Sequence, residues 1–257
     1  GKKEILLGDC LELMKDIPDG SIDMILCDLP YGTTACKWDT IIPFNKLWEQ
    51  YERIIKDNGA IVLTASQPFT SFLVTSNPKL FKYEWIWDKH IPRNFINAKI
   101  MPMQKHENVL VFGKGKLVYN PQITLRDKPV TVKNYSKKGK DSSYKLNSDG
   151  SNLKSYTYTH RNPDTIIIGK WEANAGKIHP TQKPVTLFEY LIKTYTNEGD
   201  TVLDNCAGSG TTAIACLNTK RQFIVMEKEQ KYYDIILKRV ADFNKNFETK
   251  TLFGNEM

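Results

Sequence analysis

The chain has 257 residues, enough for one α/β domain to bury a full hydrophobic core, and the simplest expectation is a single domain carrying an insertion. Apolar residues make up 40% and charged residues 25%, which excludes wholesale disorder. Thirty-six Lys plus Arg against twenty-nine Asp plus Glu give a net charge of +7; that excess favours polyanionic partners, nucleic acid first among them, although a generically basic surface would show the same imbalance.

Short apolar runs that end in an acid or glycine alternate with longer amphipathic stretches, the pattern of βαβ units around a parallel sheet. Strands are predicted over Ile5–Leu7, Ile22–Cys27, Ala60–Ala65, Glu84–Trp87 and Asn108–Phe112. The spacing predicts helices over Lys183–Tyr195, Thr211–Asn218 and Gln230–Phe243, with further strands at Thr201–Leu203 and Phe223–Met226. From Gly113 to about Gly176, Lys, Ser, Asn, Tyr and Gly dominate and long periodic segments vanish, so this stretch reads as an insertion. It carries Lys133, Lys137, Lys138, Lys140, Lys145 and Lys154 interleaved with Tyr135 and Tyr144, a composition that suits either a solvated loop or nucleic-acid contact.

The cysteines, Cys10, Cys27, Cys36, Cys206 and Cys216, are odd in number and lack a CxxC pair, so neither a disulfide nor a zinc framework is expected and no metal site is assigned. Only Ile5, Leu6 and Leu7 precede Gly8-Asp9, and no stretch approaches membrane-spanning length, which favours the cytoplasm and no membrane partner.

Four acids stand at predicted strand ends: Asp9, Asp28, Asp204 and Glu227. The ends of parallel strands share one rim, where ligands bind in the crevice. Acids there disfavour a phosphate-bearing ligand and favour one that offers amines, a cation or hydroxyls, as S-adenosylmethionine does. A helix N-cap is the plain alternative for any one of them, Asp9 above all. The loop Asp204-Asn205-Cys206-Ala207-Gly208-Ser209-Gly210 connects a strand to a helix, and its glycines let backbone approach a ligand closely. A dinucleotide site would want a third glycine where Ala213 stands, so an adenosyl ligand without phosphates fits better. Glu227, at the end of the next strand, is placed to accept hydrogen bonds from ribose hydroxyls.

The stretch Asp28-Leu29-Pro30-Tyr31 suits activation of an exocyclic amine, whose lone pair is delocalised into the ring. The Asp28 carboxylate and a neighbouring carbonyl could accept both N–H groups and turn the lone pair toward a methyl donor. Tyr31 offers a stacking face for an everted base, and Pro30 fixes the backbone between them. Taken alone, the tetrapeptide is also an ordinary turn after a strand.

Together, Asp28-Leu29-Pro30-Tyr31, the loop from Asp204 to Thr212 and the intervening His179-Pro180-Thr181-Gln182-Lys183-Pro184 resemble the S-adenosylmethionine-dependent amino-methyltransferases that modify adenine-N6 or cytosine-N4 in DNA. Their order resembles the beta class, whose chain is circularly permuted. The resemblance covers nearly the whole chain and is weakest over Gly113–Gly176. It implies a Rossmann-like methyltransferase fold, mostly parallel with helices on both faces, with residues 1–112 and 179–257 catalytic and 113–178 an inserted target-recognition region. It implies that Asp28 and the Leu29 carbonyl hold the target amine and Tyr31 stacks on the base. Cofactor contacts are implied for Asp9 with the neighbouring Cys10, for Asp28, for Glu227, and for Asp204 with Ala207, Gly208, Ser209 and Gly210, while His179 and Lys183, also cofactor contacts, match the motif ahead of that loop. Lys183 could then pair with the cofactor's carboxylate, a solvated lysine being the alternative. Trp87–Lys89 and His106-Glu107-Asn108 match the strand pair that flanks the target-base pocket.

Two positions depart from the family pattern: Leu29 stands where proline is commoner, and Asn205-Cys206 where Pro-Phe is commoner. The acid at Asp28 resembles the adenine enzymes more than the cytosine-N4 ones. The expectation is a site-specific adenine-N6 methyltransferase of double-stranded DNA, with Lys133, Lys137, Lys138, Lys140 and Arg161 as DNA contacts. Cytosine-N4 or RNA as target, a catalytically silent DNA-binding module and a nicotinamide-dependent oxidoreductase are the alternatives. A homodimer and a restriction endonuclease partner stay open.

Overall fold

A computed structural model describes residues 2–32, 41–133, 155–168 and 182–253. Its centre is an eight-stranded sheet built from β1 (Lys3–Leu7), β2 (Ile22–Cys27), β3 (Ile55–Ala65), β4 (Phe81–Arg93), β5 (Gln104–Phe112), β8 (Ile166–Ile168), β9 (Thr201–Asp204) and β10 (Gln222–Glu227). The strand order is β1-β10-β9-β2-β3-β5-β4-β8. Every neighbouring pair is parallel except the two that flank β5, which runs against the rest.

Side chains alternate between two apolar layers, as strand pleating requires. Met24, Leu26, Ala60, Val62, Val109, Val111, Val202 and Val225 point into one layer. Ile25, Cys27, Ile61, Leu63, Leu110, Leu203 and Met226 point into the other. Helices α4 (Val185–Tyr195), α5 (Thr211–Asn218) and α6 (Gln230–Phe253) cover the first layer. The second is covered by the single turn α1 (Cys10–Leu13), by α2 (Phe44–Ile54) and by α3 (Phe69–Ser76). A mostly parallel sheet sandwiched between helices, with the Asp28–Tyr31 tetrapeptide early and the glycine loop late in the chain, is the Rossmann-like architecture that the sequence resemblance implies.

Some elements differ from the sequence expectation. The helix expected from Lys183 begins at Val185, because Pro184 restricts the residue before it to extended backbone and then serves as the N-cap. The last helix runs on to Phe253. Helix α2 was not predicted, although Leu47, Trp48, Tyr51 and Ile54 recur at helical spacing and are buried.

The chain divides into two compact units, residues 1–120 with 165–257, and residues 121–164. Gly113–Asn120 packs with the first unit: the Gly113 amide donates to the Leu80 carbonyl at 2.9 Å, Val118 to Asn58 at 3.0 Å and Asn120 to Thr194 at 2.7 Å. So does β8, which pairs with β4 through Ile166–Ile168 and buries Ile167. The second unit contains an antiparallel pair, β6 (Thr124–Lys133) and β7 (Ser155–Arg161), in a stretch where no strand was predicted.

Candidate active site

Strands β1, β10, β9 and β2 lie side by side and run parallel, so Asp9, Glu227, Asp204 and Asp28 meet along one rim in that order. Their carboxylates do different things. Asp9 is exposed and caps α1, accepting the Leu11 amide at 2.8 Å. Glu227 ties the glycine loop to its own strand, accepting Gly208 N–H at 2.8 Å and Glu229 N–H at 2.9 Å. Burial pushes its carboxyl upward while those amides oppose the shift. Asp204 is buried and turned into the loop, where it accepts from the Cys206 amide at 3.0 Å and from the Thr212 hydroxyl. Desolvation by burial raises its pKa from the ordinary 3.8 to about 6.

The loop these acids hold is compact. Gly208 and Gly210 adopt left-handed backbone, with φ of +52° and +82°. A Cβ on Gly210 would also lie 3.0 Å from the Ile236 side chain, so a substitution there meets backbone strain and a crowded neighbour. The Ala207 amide donates to the Met226 carbonyl at 2.9 Å, and Arg239 Nη1 to the Ser209 carbonyl at 2.6 Å. Cys10 sits beneath the loop, its Sγ 3.6 Å from the Asn205 amide nitrogen, whose side-chain oxygen accepts the buried Tyr51 hydroxyl at 2.6 Å.

The tetrapeptide leaves the end of β2 with Leu29 packed into the core and Asp28 aimed at a polar cluster. Asp28 Oδ1 accepts the Tyr31 hydroxyl at 2.9 Å and the Thr64 hydroxyl from β3. Asp28 Oδ2 accepts Lys183 Nζ at 2.8 Å. The same ammonium reaches Glu107 Oε2 at 3.2 Å, lies 5.6 Å from the Tyr31 ring centroid, and is buried; Glu107 is also paired with Lys89. Burial alone would discharge Lys183, but the Asp28 and Glu107 carboxylates outweigh it and hold the ammonium well above its usual range. Burial would likewise raise Glu107, and the Lys183 and Lys89 ammoniums reverse it, leaving that carboxyl below its usual range. The Tyr31 ring stacks on Phe69 with centroids 5.0 Å apart and planes inclined by 25°.

Gln182-Lys183 join this cluster to the glycine loop. The Ser209 hydroxyl donates to Gln182 Oε1 at 3.1 Å, and the Thr211 hydroxyl reaches the Lys183 carbonyl at 3.4 Å, while the Lys183 side chain reaches Asp28. Residues 28–31 and 204–211, far apart in sequence, are therefore joined through Gln182-Lys183. His179 lies outside the described residues. Thr64 and Phe69 were not singled out in the sequence: a threonine inside a strand and a phenylalanine opening a helix give no local sign that they brace Asp28 and Tyr31.

Of the DNA-contact candidates, Lys137, Lys138 and Lys140 lie outside the described residues. Lys133 ends β6 opposite Ser155. Arg161 ends β7, with its guanidinium paired to Asp164.

The chain matches the DNA methylase family over residues 22–238. It belongs to that family. Among curated relatives of this DNA methylase are the type II methyltransferase M2.MboI of Moraxella bovis, 28% identical with 91% of this chain and 86% of the relative aligned, and M.HinfI of Haemophilus influenzae, 28% identical with 94% and 69% aligned. Among solved structures, the M1.HpyAVI–SAM complex is 27% identical, covers 92% of this chain and 98% of its own, and superposes with a TM-score of 0.59. The cytosine-N4-specific PvuII DNA methyltransferase superposes with a TM-score of 0.64 at 16% identity, a likeness of fold.

Proposed function

We propose that this DNA methylase transfers a methyl group from S-adenosylmethionine to the N6 amino group of adenine in double-stranded DNA. The observation that supports it is the bridge through Gln182-Lys183, which sets Asp28-Leu29-Pro30-Tyr31 against the loop held by Asp204 and Glu227. The residues suit the cofactor: a close-approach loop without Cβ atoms at Gly208 and Gly210 would take its methionine portion, Glu227 would receive ribose hydroxyls, and Asp9 with Cys10 would lie toward the adenine. Bound there, S-adenosylmethionine supplies an electrophilic methyl group on a sulfonium.

Asp28 does the selecting. An ionised carboxylate offers about four acceptor positions, and Tyr31, Thr64 and Lys183 occupy three. One remains for an amine N–H, and the Leu29 carbonyl can take the other, which orients the nitrogen lone pair away from both. Tyr31, backed by Phe69, provides the flat surface on which the base rests. Residues 121–164, with the basic stretch from Lys133, would grip the duplex. The acid at position 28 favours adenine over cytosine.

Labelled cofactor and DNA test this directly. Digestion of the product to nucleosides should yield N6-methyladenine; N4-methylcytosine would overturn the adenine assignment, and no transfer the activity. Asp28→Ala should abolish transfer with cofactor affinity retained, and a variant with normal turnover would refute the role of Asp28.

A further inference from the structure

Between β4 and β5 the sheet extends an arm, His90 to Lys105, out of the rim that holds Asp28. At its root, Lys89 and Glu107 join the ion-pair cluster on Lys183. The arm displays an apolar group that the core does not use: Phe95 is 77% exposed, Ile96 and Ile100 each 82%, and Ile91 65%. Burying such a side chain is worth roughly 1.5–3 kcal/mol each, so four of them left in water within ten residues of one arm mark an interaction surface.

The tip is a built structure. Asn94 takes left-handed backbone with φ +67° and caps a turn over Phe95–Asn97. The Ile100 and Met101 amides return to the Asn97 carbonyl at 2.9 and 3.0 Å, Asn97 Nδ2 donates to Asn94 Oδ1 at 3.0 Å, and Gln104 Nε2 anchors the base of the arm to Ser66 Oγ at 2.7 Å. From Lys89 to His106 there is no Asp or Glu, and Arg93 and Lys99 stand exposed beside the apolar group. That charge decides what covers the surface. A second copy meeting this face about a two-fold axis would set cation against cation, whereas a polyanion is matched by it. Glu107 and Ile100 are seven positions apart, at most about 25 Å of extended chain, so the tip stays within reach of a duplex whose target base lies on Tyr31.

We propose that this arm is a duplex-penetrating element. Phe95, Ile96 and Ile100 wedge into the base stack and fill the space vacated by the everted adenine, while Arg93 and Lys99 hold flanking phosphates. The inference rests on the activity proposed above but is read separately from it. Phe95→Ser/Ile96→Ser/Ile100→Ser, all surface changes, should raise the Kd for duplex by 10-fold or more and remove the fluorescence rise of 2-aminopurine placed at the methylated position. Cofactor affinity should stay unchanged, and methylation of the same strand offered single-stranded should stay near the parent rate. Arg93→Ala/Lys99→Ala should lower the slope of log Kd against log salt by about two. Parent-like duplex affinity and base eversion in the triple variant would overturn the proposal, as would a change from dimer to monomer on sedimentation with duplex affinity unaltered. Should the parent transfer no methyl group, loss of duplex binding in the triple variant would still support the arm while the activity assignment fell.

Discussion

Lys183→Met is the perturbation whose magnitude the structure sets most directly. Methionine keeps the buried stem and removes the ammonium that lies 2.8 Å from Asp28 and 3.2 Å from Glu107. Two carboxylates then share one pocket with Lys89 as the remaining counter-charge. Removing one partner of a buried pair costs about 3–5 kcal/mol, and because the Asp28 side chain is 22% exposed the lower end applies, roughly a 6–12 °C fall in Tm. Glu107 gives the pH dependence. Its carboxyl lies below the usual range in the folded state, so its contribution is fully present above the unfolded value of about 4.3 and is lost as the pH falls through the folded pKa. Urea unfolding at pH 7.5 and pH 4, with Glu107→Gln made on both backgrounds, tests this. The penalty of Lys183→Met should narrow at pH 4, where protonation removes the unpaired charge, and Glu107→Gln should recover about 1 kcal/mol of it at pH 7.5. A penalty below about 1 kcal/mol, or one unchanged between the two pH values, would refute the reasoning.

Asp204→Asn separates charge from shape in the glycine loop. Because burial raises the folded pKa of Asp204 from 3.8 to about 6, the parent loses stability as the pH rises through that window. The asparagine variant does not, so its stability relative to the parent should climb between those values and level off on either side; a flat difference from pH 3.5 to 7.5 would contradict it. Tyr31→Phe removes the hydroxyl contacts to Asp28 and Thr64 while keeping the ring on Phe69. It should lower kcat about 10-fold with duplex affinity unchanged, and a loss beyond about 1,000-fold would assign the hydroxyl to the chemistry itself. Glu227→Gln weakens the carboxylate that holds the Gly208 amide, and should raise the cofactor Kd about 10-fold by calorimetry without altering duplex binding. Unchanged cofactor affinity would remove Glu227 from the ribose site.

The rim of acids was legible in sequence because each is a local feature: an apolar run of fixed length, then a carboxylate. What each acid bonds was not legible. Asp9 caps a helix, and Asp204 turns inward to its own loop. Lys183 could be read as paired to a cofactor or solvated, and in this structure it joins Asp28 to Glu107. That pairing depends on β5 running antiparallel beside β3, a long-range choice that no window of sequence encodes. Strands β6 and β7 escaped notice for a different reason. Along Ser155–Arg161 every residue is exposed, so no buried face imposes an alternation of apolar and polar residues that could be read. The arm from His90 to Lys105 lacked any familiar motif and became visible only once its apolar side chains were found outside the core.

The strand order has a consequence for biosynthesis. β1, made long before β10, has its place against that strand, with Leu7 opposite Glu227. While translation proceeds, β1 must wait, without its partner, until more than two hundred further residues have left the ribosome. Contacts of such long sequence separation fold slowly. A nascent chain that ends before residue 204 holds Asp28-Leu29-Pro30-Tyr31 without the glycine loop to which Gln182-Lys183 join it.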